Sequence, residues 1–272
     1  MAFIQMQLNS ECLTRKASIN VILPEITEKR RLENGKFPVL WVLHGATDDQ
    51  TMWQRFTALE RYAIKRGIAV VMPAADNSFY ANTDGGRYFD YITEELPRML
   101  GNYFPISRER ADNFVMGMSM GGHGTMKLGF TKPEQYAAMG IFSCANFIDL
   151  MGSGNMIEGG MRVPLNFIRW QVFQVEGGDL NQARGTENDN RYLARRASES
   201  GKPLPKIFAC CGTADGCHDK EKEDLALFSS FPNPFEVKFF DSVGYHDFEF
   251  WDTWLDTFIQ WLPIRRRVNE VL

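Results

Sequence analysis

The chain has 272 residues, 44% of them hydrophobic, and a net charge of −4. That length and apolar content allow one sizeable core, and the slight acidic balance without a basic block argues against a nucleic-acid partner. No run of eighteen apolar residues occurs, which argues against a membrane span, and five cysteines, an odd number, suit a reducing cytoplasm better than a disulfide framework.

Two strands open the chain, Phe3 to Leu8 and Ala17 to Leu23, on alternating apolar and polar residues. The start lacks the basic and apolar stretches of a signal peptide. Glu25 to Lys36, with Asn34-Gly35, reads as a turn. Phe37 to Leu43 is almost continuously apolar, as a buried parallel strand would be. A helix ends over Tyr62 to Arg66 at Gly67, and Ile68 to Met72 is the next buried strand. Ile92, Leu96, Met99, Leu100 and Tyr103 recur at helical spacing. Short apolar runs at Phe114 to Met116, Ala137 to Phe142, Ile207 to Cys211 and Phe235 to Phe240 read as further strands. Phe248 to Leu262 closes with an amphipathic helix stopped by Pro263.

Strands alternating with helices predict an α/β fold, a mostly parallel doubly wound sheet with helices on both faces. Sites in such sheets form beyond the carboxyl ends of the strands. The expected organisation is one domain over 1–272, with a cap-like insertion at about 145–205, where the strand pattern lapses.

Gly117-Met118-Ser119-Met120-Gly121 follows a strand and opens a helix, so it fits the Gly-x-Ser-x-Gly nucleophile elbow of α/β-hydrolases. A serine nucleophile needs a histidine to take its proton and a carboxylate to orient that histidine. Of four histidines, His44 precedes the serine, His123 lies one turn beyond it on the same helix, and His218 sits among charges and reads as a solvated loop residue. His246 alone follows the last strand, in the order Ser, acid, His. Asp215, just past the strand Ile207 to Cys211, is the expected acid, with Asp219 and Asp241 as runners-up. Leu43-His44-Gly45-Ala46 ends a strand and offers the N–H of Ala46 as one oxyanion donor; the N–H of Met120 is the other. Cys210, Cys211, Cys217 and His218 lie close together but contain no Cys-x-x-Cys, so no metal site is expected.

The segments LHGATDDQTMW (Leu43 to Trp53), NTDGGRYFDYITEELP (Asn82 to Pro97), GMSMGGHGTMKLGFTKPEQYAA (Gly117 to Ala138), CGTAD (Cys211 to Asp215) and GYHDFEFWD (Gly244 to Asp252) resemble the esterase D-like carboxylesterases. That family includes tributyrin esterases, S-formylglutathione hydrolases and feruloyl or acetyl-xylan esterases. The resemblance spans Pro38 to Trp261 and implies the α/β-hydrolase fold. It also implies Ser119 as nucleophile, Asp215 as acid, His246 as base, and Ala46 and Met120 as the oxyanion hole. The activity it implies is cofactor-free hydrolysis of short acyl or aromatic esters, small-molecule substrates, through an acyl-enzyme. S-formylglutathione hydrolysis is the alternative within that chemistry. A non-catalytic α/β-hydrolase-like binding protein is the alternative of another class, although such proteins usually lose a triad member. Trp53, Tyr80, Trp170 and Phe173 are the candidates for an aromatic-tolerant pocket, with core packing as their competing explanation. The sequence leaves the oligomeric state open, a homo-oligomer included.

Overall fold

The computed structural model describes residues 1–26, 30–32, 35–152, 179–264 and 268–270. Eight strands form the main sheet: β1 (Ala2–Ser10), β2 (Arg15–Leu23), β3 (Val39–Leu43), β4 (Ala69–Pro73), β5 (Asn113–Met118), β6 (Ala138–Phe142), β7 (Lys206–Gly212) and β8 (Val237–Ser242). Their order is β1-β2-β4-β3-β5-β6-β7-β8. The β1–β2 and β2–β4 pairings are antiparallel. From β4 to β8 every pairing is parallel. The carboxyl ends of β3, β5, β6, β7 and β8 therefore share one edge of the sheet.

The longer helices among the described residues are α1 (Met52–Phe56), α2 (Leu59–Arg66), α3 (Leu96–Tyr103), α4 (Met120–Thr131), α5 (Phe147–Gly152), α6 (Asn190–Glu199), α7 (His218–Ser229) and α8 (Phe248–Trp261). Every residue of β3, β4, β5 and β6 is buried, because both faces of a parallel sheet are covered. Alternation along the strands divides the core. Val39, Trp41 and Leu43 join Leu96, Met126, Leu193 and Phe228 from α3, α4, α6 and α7. Leu40 and Val42 join Leu59, Ala63, Leu255 and Phe258 from α2 and α8. Adjacent cysteines obey the same rule: Cys210 packs on the α2–α8 side, whereas Cys211 packs with Cys217.

Several expectations need correction. The turn expected over 25–36 contains a three-residue strand, Arg30–Leu32, paired antiparallel with Val268–Glu270. The partner is more than 200 residues away, so no local pattern announces it. The helix expected from Ile92 begins with a wide π turn, Tyr91–Glu95. There the buried Glu95 accepts hydrogen bonds from the Ser10 hydroxyl at 2.5 Å and the Glu11 N–H at 2.7 Å, fastening the β1–β2 turn. His218 is not a solvated loop residue. It opens α7 with its side chain only 13% exposed, held by Asp219 and Asp241.

Part of the expected cap belongs to the layer around the sheet. Asp189 caps α6 by accepting from the Arg191 and Tyr192 N–H groups, and Asn190, Leu193, Ala194 and Ala197 are buried. Asn190 Nδ2 reaches both the ring Nδ1 of His123, at 3.0 Å, and its carbonyl oxygen. The stretch 153–178 of that insertion lies outside the described residues. Among the described residues no helix is long and apolar enough to cross a membrane.

Helix α4 buries two basic side chains. Burial pushes His123 down to about 3 and Lys127 down to about 8. Each then binds fewer protons folded than unfolded between its lowered and its ordinary pKa, so its contribution to stability rises with pH through that window. As the pH drops from about 6.5 toward 3, unfolded chains gain a proton on His123 that folded chains refuse. The thermal midpoint should fall across this window, and His123→Leu should flatten the fall; an unchanged slope in calorimetry would count against the buried neutral imidazole.

Candidate active site

Ser119 sits between β5 and α4 with φ 54° and ψ −119°. A non-glycine residue holds such a conformation only where its surroundings dictate it, at about 1–3 kcal/mol. Here the surroundings are backbone. A Cβ on Gly117 would lie 2.4 Å from the Gly121 backbone, and one on Gly121 would lie 2.4 Å from the Leu43 carbonyl oxygen. The Ser119 N–H donates to the Phe142 oxygen of β6 at 3.0 Å. The serine is half-buried, and Met120 after it is buried. As the first residue of α4, Met120 has no acceptor for its N–H within its own helix.

The loop after β3 lies directly against the elbow. His44 is buried and neutral, because burial pushes its pKa down. Its Nε2 accepts the Ala75 N–H at 2.9 Å, which leaves Nδ1 as the donor to the Gly45 carbonyl at 2.8 Å. That carbonyl and the Ala46 N–H belong to one planar trans peptide, so fixing the oxygen aims the N–H the opposite way. The Tyr80 hydroxyl donates to the His44 carbonyl at 2.9 Å. A Cβ on Gly45 would meet the Met118 sulfur at 2.5 Å, which explains the glycine.

Asp215 follows β7 and His246 follows β8. The imidazole Nδ1 is 2.8 Å from Asp215 Oδ2, with the carboxylate side chain fully buried and the imidazole 10% exposed. The Cys217 N–H donates to Asp215 Oδ1 at 2.8 Å. Burial alone would raise the Asp215 pKa, but His246, the Cys217 N–H and the Ser143 hydroxyl together hold it below the usual carboxylate range. Both runner-up acids are engaged elsewhere: Asp219 and Asp241 bind the two ring nitrogens of His218, at 3.0 and 3.1 Å.

The loops meet through glycines. A Cβ on Gly212 would lie 2.3 Å from the Gly244 oxygen, so the acid loop and the base loop are pressed together. The aromatic-pocket expectation needs correction for two of its four residues. Trp53 is enclosed by Phe142, Phe248 and Trp251 and donates its N–H to the Leu43 oxygen at 3.0 Å. Tyr80 is fully buried beneath the His44 loop, with its ring where a Cβ on Gly124 would fall. Both support the walls of the site from within the core. Trp170 and Phe173 lie outside the described residues.

Two contributors escaped the reading of the sequence. Cys217 forms a tight turn with Asp215 that an Asp-x-Cys spacing does not announce. Asp48, half-buried beside the His44 loop and within electrostatic reach of His246, is pushed up to about 6 by burial and by Asp49. Asp215, Cys217 and His246 also bring an oxygen, a sulfur and a nitrogen within 4.8 Å of one another, the donor set of a soft cation. Asp215 Oδ2 and His246 Nδ1 already face each other at 2.8 Å.

The Esterase family model matches residues 10–263. An acetyl esterase from Caldicellulosiruptor saccharolyticus is 24% identical over 269 residues, 96% of this chain and 98% of that protein. Among solved structures, a fluorophosphonate-binding serine hydrolase of Staphylococcus aureus superposes with a TM-score of 0.82 at 30% identity, covering 97% of this chain and 99% of that one. An S-formylglutathione hydrolase of the same organism gives 0.81 at 30% identity over the same shares. A ferulic acid esterase at 20% identity and TM-score 0.72 shares the fold.

The contact of Gly121 with β3 yields a steric prediction. Gly121→Ala must force apart two backbone segments, at a cost of about 1–3 kcal/mol or more. Its unfolding midpoint in denaturant should drop accordingly; a midpoint equal to that of the unsubstituted protein would show that the close approach does not exist.

Proposed function

The chain belongs to the Esterase family and is a serine esterase of the α/β-hydrolase fold; from that premise we propose that Ser119, His246 and Asp215 carry the reaction, with the N–H groups of Ala46 and Met120 as the oxyanion hole. The observation that carries this reading is the 2.8 Å pairing of His246 Nδ1 with the buried Asp215, at the sheet edge where the strained Ser119 stands.

The steps follow from that arrangement. Asp215 holds the imidazole with Nδ1 protonated, which leaves Nε2 free to accept the Ser119 proton. Ser119 Oγ attacks the ester carbonyl, and the negative charge on its oxygen is taken up by the two backbone donors. The protonated His246 then gives its proton to the departing alcohol, leaving an acyl-enzyme. Water, activated by the same imidazole, attacks the acyl carbonyl and releases the acid.

Short acyl esters are the preferred substrates on this reading, supported by the acetyl esterase that matches nearly the whole chain. Aromatic esters of the feruloyl type come second, since Trp53 and Tyr80 are enclosed in packing. Thioester hydrolysis of S-formylglutathione is the second reading, favoured by the 30% identity to a solved hydrolase of that name. Rates on acetyl, butyryl, octanoyl and feruloyl esters and on S-formylglutathione would rank these substrates.

Two substitutions test the assignment. Ser119→Ala should lower turnover of p-nitrophenyl acetate on the order of a million-fold, and wild-type turnover in that variant would refute it. His44→Leu removes the hydrogen bond that fixes the Gly45–Ala46 peptide. The expected loss in kcat is roughly 10²–10³-fold, the scale of one missing oxyanion donor. A folded His44→Leu variant with unchanged kcat would free Ala46 from that role.

A further inference from the structure

Thr47, the residue after Ala46, holds φ 65°. That is the left-handed region, in which a β-branched residue is an outlier. Such strain persists only where the surroundings dictate it. Here the Thr47 N–H donates to the side-chain oxygen of Asn77 at 2.7 Å. Asn77 is half-buried, on the segment that follows β4.

The peptides on the two sides of Ala46 are thus each gripped by a side chain. His44 Nδ1 holds the carbonyl of the Gly45–Ala46 peptide at 2.8 Å. Asn77 holds the N–H of the Ala46–Thr47 peptide. Both peptides are planar, so the backbone between them has only the φ and ψ of Ala46 to vary. Fixing the plane on each side sets both angles, and with them the direction of the Ala46 N–H.

One segment, residues 75–80, supplies the support. Its Ala75 N–H holds His44 Nε2 at 2.9 Å, its Asn77 side chain holds Thr47, and its Tyr80 hydroxyl holds the His44 carbonyl at 2.9 Å. The segment is strained in turn, with φ of 44°, 51° and 57° at Asp76, Phe79 and Tyr80. Ser78 closes it from within: its Oγ accepts the Tyr80 N–H and its carbonyl the Ala81 N–H, both at 3.1 Å. Asp76 ties it outward to Arg15 of β2 and, at 2.7 Å, to the Tyr88 hydroxyl.

We propose that Asn77 is a positioning residue for the oxyanion hole: its side-chain oxygen holds the Ala46–Thr47 peptide and, together with His44, aims the Ala46 N–H at the charge that forms on the substrate oxygen. The proposal rests on the reading of Ala46 as an oxyanion donor. It accounts for an amide side chain at 77, where an acceptor must reach across to another loop. It also accounts for a threonine held at positive φ immediately after the donor.

The test compares Asn77→Ala, Asn77→Asp, His44→Leu and the Asn77→Ala/His44→Leu double variant. kcat and KM for p-nitrophenyl acetate are measured together with the thermal midpoint. Attack by Ser119 and attack by water both put negative charge on the same oxygen, so kcat reads the donor whichever step is slower. Asn77→Ala should lose about 3- to 12-fold in kcat with KM unchanged, the scale of one neutral hydrogen bond. Asn77→Asp keeps an acceptor oxygen in the same place and should recover most of that loss. Adding Asn77→Ala to His44→Leu should cost less than Asn77→Ala costs alone, because both side chains grip the peptides of one residue.

A folded Asn77→Ala variant with kcat within about twofold of wild type, beside a slow His44→Leu, leaves Ala46 as the donor and overturns the proposal alone. So does an Asn77→Asp variant as slow as Asn77→Ala, or a double variant in which the two losses multiply, since either marks damage other than a lost acceptor. If His44→Leu folds and keeps its kcat, the reading of Ala46 fails and the proposal falls with it. Should His44→Leu not fold, Asn77→Ala and Asn77→Asp decide between them.

Discussion

Gly121 approaches the end of β3 so closely that a Cβ would come within 2.4 Å of the Leu43 carbonyl oxygen and 2.8 Å of the His44 oxygen. Two backbone segments far apart in the chain are thereby held in direct contact. On one side the α4 N-terminus presents the Met120 N–H; on the other the β3 loop carries Ala46. The same first turn of α4 forces Ser119 to φ 54°, because Gly117 and Gly121 meet backbone to backbone beneath it. The strain at the serine and the close approach of α4 to the β3 loop thus share one cause. The hydrogen bonds from His44 to Gly45 and from Tyr80 to His44 then fix the orientation of a loop whose position Gly121 has already set.

Electrostatics at the neighbouring strand ends follow from how few charges the buried site can sustain. Asp215 is enclosed, yet its carboxylate stays ionised because donors surround it. Glu221, buried nearby on α7, accepts the Cys144 N–H at 2.9 Å but is pushed well above the ordinary carboxyl range, first by burial and then in part by Asp215. The surroundings thus act oppositely on the two carboxyls, holding Asp215, which faces the imidazole, low and Glu221 high. Cys217, whose backbone braces Asp215, has its thiol driven upward by burial and by Asp215, so it remains protonated beside the site. Asp219 and Asp241, the other two carboxylates weighed for the acid, face the two ring nitrogens of His218.

Much of this arrangement was legible in the sequence because its causes are local. Apolar runs such as Val39–Leu43 and Asn113–Met118 are dictated by burial on both faces, and Gly67 ends its helix in the left-handed conformation that glycine tolerates. The glycines at 117 and 121 mark contacts that any residue with a side chain would break. Order along the chain then pointed to His246 and, ahead of Asp219 and Asp241, to Asp215, and the structure pairs these two at 2.8 Å. What stayed hidden depends on partners distant in sequence. The pairing of Arg30–Leu32 with Val268–Glu270 has no local signature. Helix α6 was concealed in a polar stretch, since only five of its ten residues are buried and two of those, Asn190 and Ser198, are polar. Ser143 looks like an ordinary strand-end residue until its φ and its bond from the Trp251 indole are seen, and Trp53 and Tyr80 looked like pocket aromatics until their burial was.

The account stands or falls on whether Ser119 is an activated nucleophile. A fluorophosphonate reacts with a serine whose proton is drawn off by a base and whose phosphoryl oxygen finds a donor site, and passes over ordinary hydroxyls. Intact mass spectrometry after such treatment should show one adduct per chain, and peptide mapping should place it on Ser119. The absence of an adduct, or its placement on any other residue, would contradict the account.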